Sequence, residues 1–117
     1  MTRMWLLPPG HMCQQHILGE HYELHKLVGG IKAALDGDDG HRARIAGQAR
    51  DGNVDVRQIT ERHRELEAYG GWDSPLPKVV ISGATCGFAI GDIDVEANRR
   101  DLRERCADCA AAMEVPA

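Results

Sequence analysis

Aromatic side chains are scarce in this 117-residue chain: one Phe, two Trp and two Tyr, 4% of the total. A core must therefore be built from Leu, Ile, Val, Ala and Met. A broad aromatic platform for stacking nucleobases is excluded. Positive charge is not in excess either. The formal net charge is -4, which excludes a basic, non-specific nucleic-acid coat but leaves room for local basic patches. No run of ~18 apolar residues exists, so no membrane span is expected. The apolar run at Trp5-Leu6-Leu7 is too short for a secretory signal peptide, and the expected location is cytoplasmic. The four cysteines, Cys13, Cys86, Cys106 and Cys109, then argue against a disulfide framework and for free thiols or a metal.

The length predicts one domain, residues 1–117, able to bury roughly two thirds of its unfolded surface. Residues 1–10 read as an extended lead-in, because Pro8, Pro9 and Gly10 stop any earlier helix. A helix is expected over about 12–35, since Ile17, Leu24, Leu27, Val28 and Ile31 fall on one stripe at the helical period. Gly29-Gly30 is its weak point, where it is expected to bend or end. After the acidic turn Asp36–Gly40 comes the one locally basic run, His41 to Arg50.

A second helix is expected over about 54–69 with Val56, Ile59, His63 and Leu66 on one face, ended by Gly70-Gly71. Residues 72–93 are a long connection holding one short apolar run, Val79-Val80-Ile81. Asp94 is a good N-cap for a third helix over about 95–112, whose stripe carries Val95, Leu102, Cys106, Cys109 and Met113. The expected fold is all-α, a single domain of about three helices with long irregular connections.

The first helix has one anomaly. Glu20 lies inside its apolar stripe and Glu23 at its edge; His16, Glu20, Glu23 and Leu27 step by four, three and four and share a face. A carboxylate there is costly unless it is paired or functional. Thr2-Arg3, Gln15-His16, Glu20, Glu23-Leu24 and the basic residue Lys26 together resemble the N-terminal signature of the phage endonuclease V-type pyrimidine-dimer DNA glycosylases. Their spacing from the chain start matches without a gap as far as Leu27. Beyond that the similarity is one of architecture.

The resemblance implies an enzyme, a DNA glycosylase with abasic-site lyase activity. Its nucleophile would be the N-terminal amine of Thr2, freed by removal of Met1. An α-amine has a pKa of about 7.7–8.0 against about 10.4 for Lys, so a useful fraction is unprotonated near neutral pH. The amine would attack the anomeric carbon of the sugar, displace the base and form a Schiff base. Glu23 would stabilise the sugar cation and assist loss of the neighbouring proton, and β-elimination would follow. Arg3 would position the phosphate backbone and His16 would stand by the sugar. Glu20 would lie in the same DNA-binding face. No metal or organic cofactor is required for this chemistry.

Two departures from the family bear on substrate. Tyr22 and Lys26 stand where the phage member has Arg, and Lys lacks the bidentate fork for phosphate. The aromatic, basic tail of that member has no counterpart around Met113-Glu114-Val115-Pro116. The lesion is left open: a pyrimidine dimer, another damaged or modified pyrimidine, or a plain abasic site. The partner implied is double-stranded DNA carrying that lesion, bound by a monomer. Contacts would come from His41, Arg42, Arg44 and Arg50, and from Arg99, Arg100, Arg103 and Arg105 on the last helix. The alternative is a non-catalytic DNA- or protein-binding module that keeps the fold.

Cys106-Ala107-Asp108-Cys109 is a CxxC, and His11-Met12-Cys13 precedes the first helix. His11, Cys13, Cys106 and Cys109 would make a one-His, three-Cys structural zinc site if the fold joins them. The other reading is that Cys106 and Cys109 are small buried hydrophobes. His21 and His25, at i and i+4, could pair on a metal but are expected to be solvated on the polar side. Cys86 has no strand–turn–helix context and is not read as a nucleophile.

Overall fold

Helix α1, Gln14–Leu35, packs against the next two α-helices of the chain. The computed structural model describes residues 2–116. All five stripe residues of α1, Ile17, Leu24, Leu27, Val28 and Ile31, are buried. The helix does not end at Gly29-Gly30. Gly30 instead permits a close helix crossing: a Cβ there would meet Ile45 Cδ1 at 3.2 Å and His41 Cδ2 at 3.3 Å. The intrinsic cost of a mid-helix glycine, about 1 kcal/mol, is offset by that packing.

The partner in this crossing is α2, Asp39–Arg50, capped by Asp38, whose side chain accepts from the His41 backbone N–H at 2.9 Å. This basic run is a helix, though only Ile45 and Ala49 on it are buried. A 3-10 turn, Val56–Gln58, then leads into α3, Ile59–Gly70. Val56, Ile59, His63 and Leu66 are buried as their periodicity predicts. Gly71, at φ +77°, closes α3 in the left-handed conformation that glycine adopts without a Cβ clash.

The expected third helix is two. α4, Val95–Arg105, is capped by the Asp94 side chain on the Ala97 N–H. The chain then turns extended at Cys106, φ -137° and ψ 108°, before α5, Ala107–Ala112. The sulfur of Cys106 accepts from the Cys109 N–H, so the break is itself a cap. Among the described residues no strand occurs and no helix is long and apolar enough to cross a membrane. The all-α expectation therefore stands, with five α-helices in place of about three.

The N-terminal lead-in enters the core. Met4, Trp5 and Leu7 are buried. Met4 donates its N–H to Asn53 O at 2.7 Å. The Asn98 amide on α4 donates to Met4 O and Trp5 O at 3.2 and 3.1 Å. Leu6 turns through φ +57°, unusual for a residue with a Cβ. These bonds hold the first residues against α4 and the turn after α2.

Candidate functional site

Glu23 is one turn beyond the buried Glu20, on the side of α1 that faces α2. Together with Thr2, Lys26, His41, Arg44 and Gln48 it lines a cleft of about 310 Å³. Lys26 Nζ is 3.9 Å from Glu23 Oε1. Glu23 Oε2 is removed from solvent and has no hydrogen-bond partner among the described residues. An unsatisfied carboxylate oxygen of this kind costs free energy and is free to accept from a ligand. On the other side of Glu23 is a second cleft, about 370 Å³, lined by Arg3, Trp5, His16, Tyr22 and Arg105. Tyr22 is exposed, with Lys26 Nζ 5.6 Å from its ring centre.

Three residues expected on this face have partners within the protein. Glu20 is not available to DNA. Its side chain is buried, and Arg62 of α3 holds both oxygens, Nε to Oε2 and Nη2 to Oε1, each at 2.7 Å. Arg3 is committed to the protein. It donates to Asn98 Oδ1 through Nε at 3.2 Å and Nη2 at 2.6 Å, and to Asp101 through Nη1 at 2.6 Å. It also stacks on Trp5, and these contacts anchor the N-terminal segment on α4. His16 turns its Nδ1 toward cysteine sulfurs, 3.1 Å from Cys13 Sγ and 3.5 Å from Cys109 Sγ.

The basic residues divide. Arg44 lies in the Thr2–Glu23 cleft. Arg42 is exposed on α2 with its guanidinium over the Phe88 ring at 4.4 Å. Arg99 faces inward to His11 and Glu96, whereas Arg103 is exposed on α4.

The metal set is Cys13, His16, Cys106 and Cys109, whose ligand atoms all lie within 4.8 Å of one another. His11 is not part of it. Its Nδ1 accepts from Arg99 Nη1 at 2.9 Å, which leaves the proton on Nε2 to donate to Val115 O at 3.0 Å. Both ring nitrogens are thereby used. Cys13 is the N-cap of α1 and His16 is in its first turn. Cys106 is the break before α5 and Cys109 is in that helix's first turn.

The Cys13 and Cys106 sulfurs are 3.8 Å apart. A tetrahedral zinc with Zn–S near 2.3 Å needs an edge of about 3.8 Å. A disulfide needs about 2.05 Å. Two backbone N–H groups already point at the sulfurs, Cys13 N–H to Cys109 Sγ at 3.2 Å and Cys109 N–H to Cys106 Sγ at 3.4 Å. The Cys109 N–H holds the Cys106 thiol below its ordinary value. Burial pushes the Cys109 thiol up to about 12, so that side of the site favours the thiolate only when a cation is present. The arrangement is compatible with a structural metal. Cys86, buried beside Thr85 Oγ1, belongs to no such group among the described residues.

His21 and His25 are half-buried and not simply exposed on a polar face. They meet His63 of α3, and ring nitrogens of the three lie within 4.8 Å of one another. His21 also packs on Trp72. Burial, with His21 and His63 adjacent, holds His25 below the ordinary imidazole value. The i, i+4 spacing marked the first pair, but only the α1–α3 packing supplies the third ring.

No protein-family model, curated protein or solved structure matches this chain.

Proposed function

We propose that the chain is a DNA glycosylase with abasic-site lyase activity on a damaged or modified pyrimidine. Thr2 supplies the amine and Glu23 the carboxylate. The observation that carries this reading is that Thr2 and Glu23 line one cleft, with Glu23 Oε2 unsatisfied and Lys26 and Arg44 at the rim. The N-terminal resemblance assigned these two residues their roles independently of any geometry.

In the chain freed of Met1, which lies outside the described residues, the Thr2 nitrogen attacks C1′ of the deoxyribose. The glycosidic electrons leave with the base. The nitrogen then loses a proton, its lone pair breaks the C1′–O4′ bond, and O4′ takes up a proton as the ring opens to the imine. Glu23 then accepts a proton from C2′, and the electron pair expels the 3′ phosphate in β-elimination. Lys26 and Arg44 face the phosphate backbone, and the counterions they displace from it make this contact salt-sensitive. The finer reading of the cysteine cluster is a zinc held by Cys13, His16, Cys106 and Cys109. It would tie α5 to the start of α1 and take no part in the chemistry.

Borohydride reduction on an abasic-site oligonucleotide tests the proposal. The Met1-free chain is expected to form a covalent adduct that disappears when the amine is blocked. Glu23→Gln is expected to lose strand scission while keeping its fold. No adduct from the free-amine chain would overturn the lyase reading and favour a non-catalytic binding module.

A further inference from the structure

We propose that His21, His25 and His63 form a second metal site, for a borderline divalent ion such as Zn2+, separate from the cysteine cluster. The two α1 histidines are one turn apart on one face, a spacing that lets both imidazoles reach one ion. His63 reaches them from α3, its Nε2 3.2 Å from His25 Nε2. Two nitrogens on a tetrahedral ion with Zn–N of 2.0–2.1 Å stand about 3.3 Å apart. The group is largely withdrawn from water, with His21 and His63 side chains 13% and 9% exposed.

Hydrogen-bond accounting at His63 points the same way. Its Nε2 faces both His25 Nε2 and Ser74 O, the latter at 3.0 Å, while its Nδ1 is 3.5 Å from Glu67 Oε1. A neutral ring has one N–H. If Nε2 carries it for Ser74 O, a bare Nδ1 faces the carboxylate. If Nδ1 carries it for Glu67, the Nε2 lone pair faces a carbonyl oxygen. An ion among the three rings would remove the conflict: the Nε2 lone pair would go to the metal, and the Nδ1–H would point at the Glu67 carboxylate.

Glu67 is built for that outer role. Its Oε2 accepts the Ser74 N–H at 2.5 Å and lies 3.4 Å from His21 Nε2. With an ion bound, this would be the carboxylate–histidine–metal arrangement. Three imidazoles suit Zn2+, Co2+ or Ni2+, and three protein ligands leave a fourth position for water or an added donor. A protonated His63 would satisfy the same accounting without an ion, and that is the outcome the test must separate.

Co2+ added to the purified full-length protein is the probe. Uptake at this site is expected to add tetrahedral visible bands without adding to the thiolate charge transfer that uptake by the cysteine cluster gives, and Cys106→Ser should leave these bands in place. His25→Ala and His63→Gln should each abolish that signal, and Glu67→Gln should weaken binding by about 10- to 100-fold. Far-UV circular dichroism checks that the variants fold, and His21→Gln provides a further ligand deletion. No Co2+ bound outside the thiolates, or uptake unchanged in folded His25→Ala, would overturn the site.

Discussion

Arg62 grips Glu20 in a bidentate pair between α3 and α1, with both side chains almost fully removed from solvent. Arg62 also donates to Leu7 O at 2.7 Å and to the Glu65 carboxylate. One guanidinium thus fastens the N-terminal segment and two helices. Glu20→Ala leaves Arg62 buried with its principal partner gone. The expected loss is about 3–5 kcal/mol in urea unfolding. The double replacement by Met at both positions should recover much of it, because removing both charges also removes the desolvation penalty. A Glu20→Ala protein as stable as wild type would show that the pair is not a fastening.

Metal removal should act through the cysteine cluster. A chelator, or Cys106→Ser, is expected to lower stability by about 4 kcal/mol when free metal is a thousandfold above Kd. For a domain of this size that is about 15 °C in Tm. Cys86→Ala should respond to chelator as wild type does, since Cys86 lies apart from the cluster. A melting curve indifferent to chelator, with no metal in the purified protein, would remove the structural metal.

Acid stability should report Asp55. Burial works against its carboxylate, but hydrogen bonds from the Arg57 side chain, Gln58 and the Arg57 backbone N–H outweigh that and hold its pKa below the ordinary 3.8. The folded state therefore favours the ionised form. Its contribution is complete above the unfolded-state value and is lost as pH falls through the lower folded-state value. Denaturant midpoints compared at about pH 5 and about pH 3 should fall less for Asp55→Asn than for wild type. An equal fall in both would assign the acid limb elsewhere.

Gly91→Ala should be costly although the residue is in a loop. A Cβ there would meet Ala49 O at 2.5 Å and Val54 O closer still. Both are backbone atoms, so relief requires moving the end of α2 away from the loop. The expected loss is about 1–3 kcal/mol. Gly87→Ala is the control, because its Cβ would enter open space. Equal unfolding midpoints for the two variants would contradict the close approach.

Salt should tune the DNA contact in the proposed function. Arg44→Ala is expected to weaken binding to all sequences alike and to reduce the slope of log K against log salt by about 1. Binding that is flat between about 50 and 200 mM salt would exclude phosphate contact at this rim.

The apolar stripe of α1 and the Val56, Ile59, His63, Leu66 face were legible because a buried helix face repeats at 3.6 residues. So were the caps at Asp94 and Gly71. α2 was not, because it buries only Ile45 and Ala49 and shows almost no period. The break at Cys106 was hidden by a stripe that continues across it to Met113. The choice between His11 and His16 turned on one helical turn. The spacing Cys13-x-x-His16, with Cys13 as N-cap, was the available signal, and the shorter His11-x-Cys13 spacing obscured it.

By itself the sequence determined the all-helical class, the aliphatic make-up of the core and the candidacy of Thr2 and Glu23. The first two follow from composition and from periodicity and caps that act within a few turns, and the third from the resemblance of the first residues to the glycosylase signature. The tertiary structure decided which distant groups meet. It brought Arg62 to Glu20, His63 to His21 and His25, Cys106 and Cys109 to Cys13 and His16, and Thr2 to the cleft of Glu23. These pairings depend on how α3, α5 and the N-terminal segment pack on α1. Packing is set by side-chain shape across the whole core, and no local pattern along the chain encodes it.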